Sequence, residues 1–262
     1  MRDSRDTQVV YDIPLEALSD YRGRRVLVRS ASPADVVLAC RQVPDADVVC
    51  VQLDGLPSDI ETLGGWGYGI PIQLMMPDPA VELPALYRYA GLVDQHPIRV
   101  AMPVRRGFSR AVRLATSLGM AVKLDVGQPS AAALEELTTV LDFYLHGSGC
   151  SQPIEFFHGV VRALYHRQPI TLREIHDDDP ARARYVDAAG IEWPGRHRAL
   201  VPETAECRTC EFWVFCAGYF KWPQRDYECA GIKSVLRKLV AAAAELRPDV
   251  DKLRAGAAER AS

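Results

Sequence analysis

Apolar residues in the first half of the chain come in short, nearly continuous runs, and amphipathic stretches separate them. Arg24–Ser30 (RRVLVRS), Asp47–Leu53 (DVVCVQL), Ile70–Met76 (IPIQLMM), Ile98–Val104 (IRVAMPV) and Ala121–Val126 (AVKLDV) each read as a buried strand. The intervening pattern predicts helices over Pro33–Val43, near Ser58–Leu63, over Leu83–Ala90 and over Ser109–Leu118, with a longer one over Ser130–Leu145. Ser32 is a candidate N-cap ahead of Pro33, and Gly119 stands where a helix C-terminus needs a residue without a Cβ. Strands alternating with helices predict an α/β fold with a parallel sheet. The unbroken apolar character of the strands predicts that helices cover both faces or that a barrel closes.

Length narrows the architecture. In 262 residues the repeats supply about five or six β/α units, too few for a full eight-unit barrel. The expected fold is therefore α/β, a partial (β/α) barrel over residues 1–180 followed by a small cysteine-rich domain over 181–262. An open doubly wound sheet stays possible. No G-x-G-x-x-G follows the first predicted strand and no G-x-x-x-x-G-K-[ST] occurs, so a nucleotide-fold reading lacks its phosphate loop. Near the C-terminus, Ile232, Val235, Leu236 and Leu239 fall at helical spacing and predict one packed face.

Charge and composition exclude some partners. The net charge is −3, which implies no general affinity for nucleic acid or for an anionic membrane. The stretch MRDSRDTQVV is charged and has no apolar segment of signal-peptide type, and no run is long enough to span a bilayer. A cytoplasmic protein is expected. Hydrophobic residues make up 48% of the chain, enough for a sizeable core without disulfide staples.

Chemistry is concentrated in four cysteines. Cys207, Cys210, Cys216 and Cys229 read C-x2-C-x5-C-x12-C, whereas Cys40, Cys50 and Cys150 are scattered and serve as small hydrophobes. Disulfides are the weakest use of such a cluster in a cytosolic chain. Zinc favours two C-x2-C knuckles, of which only one is present. A [4Fe–4S] cube offers four iron corners and accepts uneven spacing with one remote cysteine. Spacing alone leaves iron–sulfur and zinc both open.

The same pattern resembles the C-terminal SPASM region of radical S-adenosylmethionine (radical SAM) enzymes that modify peptides and proteins. The resemblance covers roughly residues 184 to 240. It implies that Cys207, Cys210, Cys216 and Cys229 hold one auxiliary [4Fe–4S] cluster. The family's first auxiliary cluster usually starts at D-x-x-G-x-x-x-P-C. Here the chain reads DAAGIEWPG, with Gly195 in place of that cysteine, and Phe220 stands where a further cluster cysteine would be. A partial barrel is also the radical SAM scaffold. The C-x3-C-x2-C that follows the family's first barrel strand is missing: the segment after Arg24–Ser30 carries only Cys40, and the motif occurs nowhere else. The chain thus resembles a degenerate member, one that cannot cleave S-adenosylmethionine reductively. The implied role is substrate recognition, a scaffold or electron transfer in peptide or protein modification, with a peptide, a protein substrate or an intact radical SAM enzyme as partner. The alternatives are a zinc-stabilised binding protein without redox role, and a non-radical enzyme that uses the barrel mouth.

Other residues invite plainer readings. Asp54, Asp78 and Asp125 stand at or just after strand ends, where α/β barrels place functional groups. Lys123 alternates onto the side of Asp125 and is expected in a structural ion pair, with a carboxylate-binding pair as the functional alternative. Glu155 and His158 are expected as a helix-surface pair. His176 with Asp177, Asp178 and Asp179 reads as a solvated loop. Trp193, Phe212, Trp213, Phe215, Tyr219, Phe220 and Trp222 surround the cysteines; they bury a small irregular domain and would shield a cluster from water.

Overall fold

Every predicted strand forms, with ends moved by at most two residues. The computed structural model describes residues 9–194 and 205–260. Its strands are β1 (Val10–Pro14), β2 (Arg25–Ser30), β3 (Asp47–Leu53), β4 (Ile72–Met75), β5 (Ile98–Pro103), β6 (Ala121–Asp125), β7 (Ile154–Glu155), β8 (Ala183–Val186) and β9 (Glu192–Trp193). Together they make one nine-stranded sheet in the order β7-β6-β5-β4-β3-β2-β1-β8-β9. All pairings are parallel except β8 with β9. From β1 to β7 each new strand adds on the same side, so the winding never reverses. A doubly wound sheet needs that reversal. The continuous winding is consistent with a partial α/β barrel.

The helices are α1 (Pro33–Gln42), α2 (Pro79–Glu82), α3 (Phe108–Ser117), α4 (Ala131–His146), α5 (Phe157–His166), α6 (Leu172–Ile175), α7 (Ala205–Arg208), α8 (Trp213–Cys216) and α9 (Ala230–Arg260). Ser32 caps α1 by accepting from the Asp35 amide at 3.2 Å, and Ser130 caps α4 through the Ala133 amide. Gly119, at φ 78°, takes the left-handed turn into β6. The stretch expected as a helix over Leu83–Ala90 is a 3-10 helix over Leu83–Leu92, where Pro84 has no N–H for an α-helical bond.

Three features depart from the expectation. The first strand is β1, so RRVLVRS is the second, and the segment that follows β1 carries no cysteine either. The short strands β7, β8 and β9 gave too little pattern to register. The sheet's two faces also differ. Val26, Val28, Val51, Leu53, Ile72, Leu74, Val100, Val122 and Leu124 are fully buried on one side. The other side carries Arg29, Gln52, Gln73 and Arg99 in cross-strand register. The polar residues scattered within the apolar runs mark that second face.

The region beyond residue 180 is tied to the parallel sheet. Arg29 pairs with Asp12 at 2.7 Å, donates to the Tyr185 hydroxyl at 3.0 Å and reaches the Val186 carbonyl, which locks β8 onto β1 and β2. Asp187 organises the β8–β9 hairpin: it accepts from the amides of Ala189 and Ile191 and from the Trp193 indole at 2.9 Å. Helix α9 buries Ile232, Val235, Leu236 and Leu239, as its periodicity predicted, in one cluster with Leu137 and Val140 of α4. It continues through Arg260. No described helix is long and apolar enough to cross a membrane.

Candidate metal centre and barrel mouth

Local turns place the four cysteines of the motif around one cavity. Cys207 lies in α7, and the Cys210 amide donates back to the Cys207 carbonyl at 3.1 Å, closing the knuckle. Cys216 ends α8. Behind it Ala217 and Gly218 are both left-handed, with φ 46° and 77°. That double turn directs the amides of Phe220, Gly218 and Tyr219 at the Cys216 sulfur. Cys229 immediately precedes α9. All four cysteines line one cavity, together with Phe212, Trp213 and Phe220. Within it they do not meet at a single point: among the described residues, no three His, Cys, Asp or Glu side chains could hold one metal ion.

Burial pushes the Cys229 thiol up to about 11 and also raises that of Cys216, against the pull of the three amides. Lys221 and Lys233 line the same cavity, and the sequence reading passed over both. Lys221 is 4% exposed, donates to the Tyr227 carbonyl at 2.5 Å and pairs with Glu206. Lys233 reaches the other oxygen of Glu206 at 2.7 Å. No local pattern marks either residue, because burial shows only in the fold; Lys221, a buried lysine, is answered by Glu206.

The β6–α4 loop of the sheet clamps this segment. Gln128 donates to the carbonyls of Phe220 and Gln224 at 2.9 and 2.7 Å, and the Tyr227 hydroxyl donates to the Pro129 carbonyl at 2.9 Å. The aromatic residues expected around the cysteines take different places. Phe220 is buried, Phe212 and Trp213 line the cysteine cavity, Phe215 packs against the main core, and Trp222 is exposed.

A second cavity, of about 160 Å³, opens at the C-terminal ends of β4, β5 and β6. Gln73, Met75 and Lys123 line its floor, Asp125 stands exposed at its edge, and His176 and Tyr219 also line it. The two cavities share a wall, because Gly218 and Phe220 face the cysteines while Tyr219 faces the barrel mouth. Lys123 does form an ion pair, but with Asp177 at 2.6 Å rather than with Asp125, and it also donates to the His176 carbonyl at 3.2 Å. Desolvation by the surrounding chain pushes the Asp177 carboxyl up, but the side chain is 58% exposed, and Lys123 and Arg99 outweigh that effect and hold the group below its usual range.

Several plain readings need correction. The His176–Asp179 loop is not simply solvated: Asp178 is 2% exposed, and His176 stacks on Tyr219. Adjacent carboxylates looked like a surface run because their partners lie far away in sequence. Glu155 and His158 do not share a helix. Glu155 ends β7, and His158 in α5 meets the Tyr144 hydroxyl at 3.0 Å. Asp54 accepts from Gln52, and Asp78 precedes α2 without capping it through its side chain. Cys40, Cys50 and Cys150 are partly buried, with thiols raised by desolvation, as small hydrophobes would be. Gly195 lies outside the described residues. Comparison with family models, curated proteins and solved structures finds no match to this chain.

Proposed function

We propose that this chain is a degenerate radical SAM/SPASM-type protein whose Cys207, Cys210, Cys216 and Cys229 hold one [4Fe–4S] cluster. Its role is recognition, scaffolding or electron transfer for a partner in peptide or protein modification. The observation that carries this reading is the cavity lined by all four motif cysteines, with three backbone amides directed at the Cys216 sulfur. Amide donors favour the thiolate form that a metal ligand must take. In a cube the four thiolates sit on separate irons. A tetrahedral zinc site asks for sulfurs about 3.8 Å apart.

When bound, such a cluster supplies a one-electron centre whose potential depends on nearby charge, hydrogen bonds and exposure to water. The chain's own residues set those conditions. The amides of Phe220, Gly218 and Tyr219 offset thiolate charge. Lys221 and Lys233 add two cations, partly balanced by Glu206. Phe212, Trp213 and Phe220 exclude water. Tyr219 stands between this cavity and the barrel mouth, so a molecule seated at the mouth lies one turn of backbone from the cysteines.

The test of the partner role is co-purification of the tagged chain from its native host under anaerobic conditions. The expected companion is a peptide or a complete radical SAM enzyme. A chain that purifies alone, and that converts a metabolite unaided, would instead be the non-radical enzyme of the barrel mouth.

A further inference from the structure

A chain of side-chain amides fixes what the barrel-mouth cavity offers a ligand. Asp54 stands at one end, and an ionised carboxylate only accepts hydrogen bonds. Gln52 must therefore turn its Nε2 toward Asp54, and it does, at 3.1 Å. That leaves the Gln52 Oε1 facing β4, where it accepts from Gln73 Nε2 at 2.9 Å. Gln73 Nε2 also lies 3.5 Å from the Met75 sulfur. The relay ends at Gln73 Oε1. This oxygen is buried and has no hydrogen-bond partner among the described residues, although Gln73 lines the cavity and is only 3% exposed. A buried acceptor without a donor is costly, because it has given up its water and gained nothing in return. The carboxylate at the far end prevents the amides from flipping to remove that cost.

The rest of the wall selects the ligand's body. Met75, Met76 and Met102 give a polarizable apolar lining that suits an aromatic ring. A cavity of about 160 Å³ has room for one six-membered ring. Lys123, the cation on the floor, is engaged by Asp177 and the His176 carbonyl, whereas Asp125 is exposed at the rim. The mouth thus presents an acceptor in its depth and a carboxylate at its edge.

The geometry points to a ligand site at the ends of β4–β6 for a compact aromatic group carrying an N–H or O–H donor, which hydrogen-bonds Gln73 Oε1. The group is either a free small molecule or the side chain of a peptide. The site is built from β3–β6 and does not depend on a cluster. Iron content measured on the same samples separates failure of one reading from failure of the other.

The test is calorimetric titration with phenethylamine, N-acetyltyrosinamide and 3-phenylpropionate. The first two are expected to bind, and the anion of equal size at least ten-fold more weakly. Tighter binding of the amine assigns a free small molecule; tighter binding of the tyrosine derivative assigns a peptide side chain. Gln73→Leu should weaken both donors ten-fold or more. Gln73→Met, close in size but without the acceptor oxygen, covers the case in which Gln73→Leu does not fold, and it should weaken both donors alike. Absence of binding by both donors, equal binding of the anion, or full affinity in a folded Gln73→Leu protein would overturn the assignment.

Discussion

The ring of Tyr219 lies flat against the imidazole of His176, with centroids 4.7 Å apart and planes within 5°. Tyr219 belongs to the turn that follows Cys216, and His176 to the loop after α6. The stack is therefore a direct bond between the cysteine segment and the barrel mouth. Removing the ring should loosen both sides at once. Tyr219→Ala is expected to cost about 3 kcal/mol and to lower metal retention, whereas Tyr219→Phe keeps the ring and should cost under about 1 kcal/mol. Urea denaturation with parallel metal analysis checks this. Equal behaviour of the two variants would mean that the stack does not couple the segments.

Asp177 gives the barrel mouth a pH dependence of known sign. Its carboxyl is held below the usual range by Lys123 and Arg99, despite the opposing effect of desolvation. A depressed carboxylate contributes stability above its unfolded pKa of about 3.9, and loses it as the pH falls through the folded value. Asp177→Asn should thus melt lower than the parent protein at pH 6, and the two melting curves should draw together below about pH 4. A constant gap across that range would assign the effect to packing.

Lys221 is buried against the cysteine cavity and paired with Glu206. Lys221→Met removes one positive charge from beside the four sulfurs and leaves Lys233 on Glu206. If the cavity holds a cluster, its reduction potential should move to more negative values, because net charge near the irons tunes it. An unchanged potential in a variant with full iron content would show that Lys221 serves packing alone.

The chain has no C-x3-C-x2-C, neither after β1 nor elsewhere. Purified protein with a strong reductant and S-adenosylmethionine should form no 5′-deoxyadenosine. Chromatographic detection of that product above the no-protein control would contradict the degenerate reading.

The sequence carried the central strands well, since DVVCVQL, IRVAMPV and AVKLDV are too apolar and too short to be anything but buried strands. It also carried the cap at Ser32 and the packed face of α9, which depend on local spacing. It was silent on β7 and β9, because two residues make no pattern. It misjudged the strands' second face: Arg29, Gln52, Gln73, Arg99 and Lys123 interrupt the runs at alternating positions, and their meaning appears only once the register aligns them. The site divides in the same way. Four cysteines in one short segment are visible by eye. The Lys123–Asp177 pair joins residues 54 positions apart, and the Gln128 clamp joins residues 92 and 96 apart. No local pattern records such contacts.

The central claim concerns what the four cysteines hold, and iron and acid-labile sulfide analysis of anaerobically purified protein tests it most directly. The account predicts about four irons and four sulfides per chain, a broad brown absorption, and loss of both on replacing Cys207, Cys210, Cys216 or Cys229 by alanine. Replacing Cys40, Cys50 or Cys150 should leave the iron in place. Colourless protein carrying one zinc per chain, or protein with no bound metal, would contradict it.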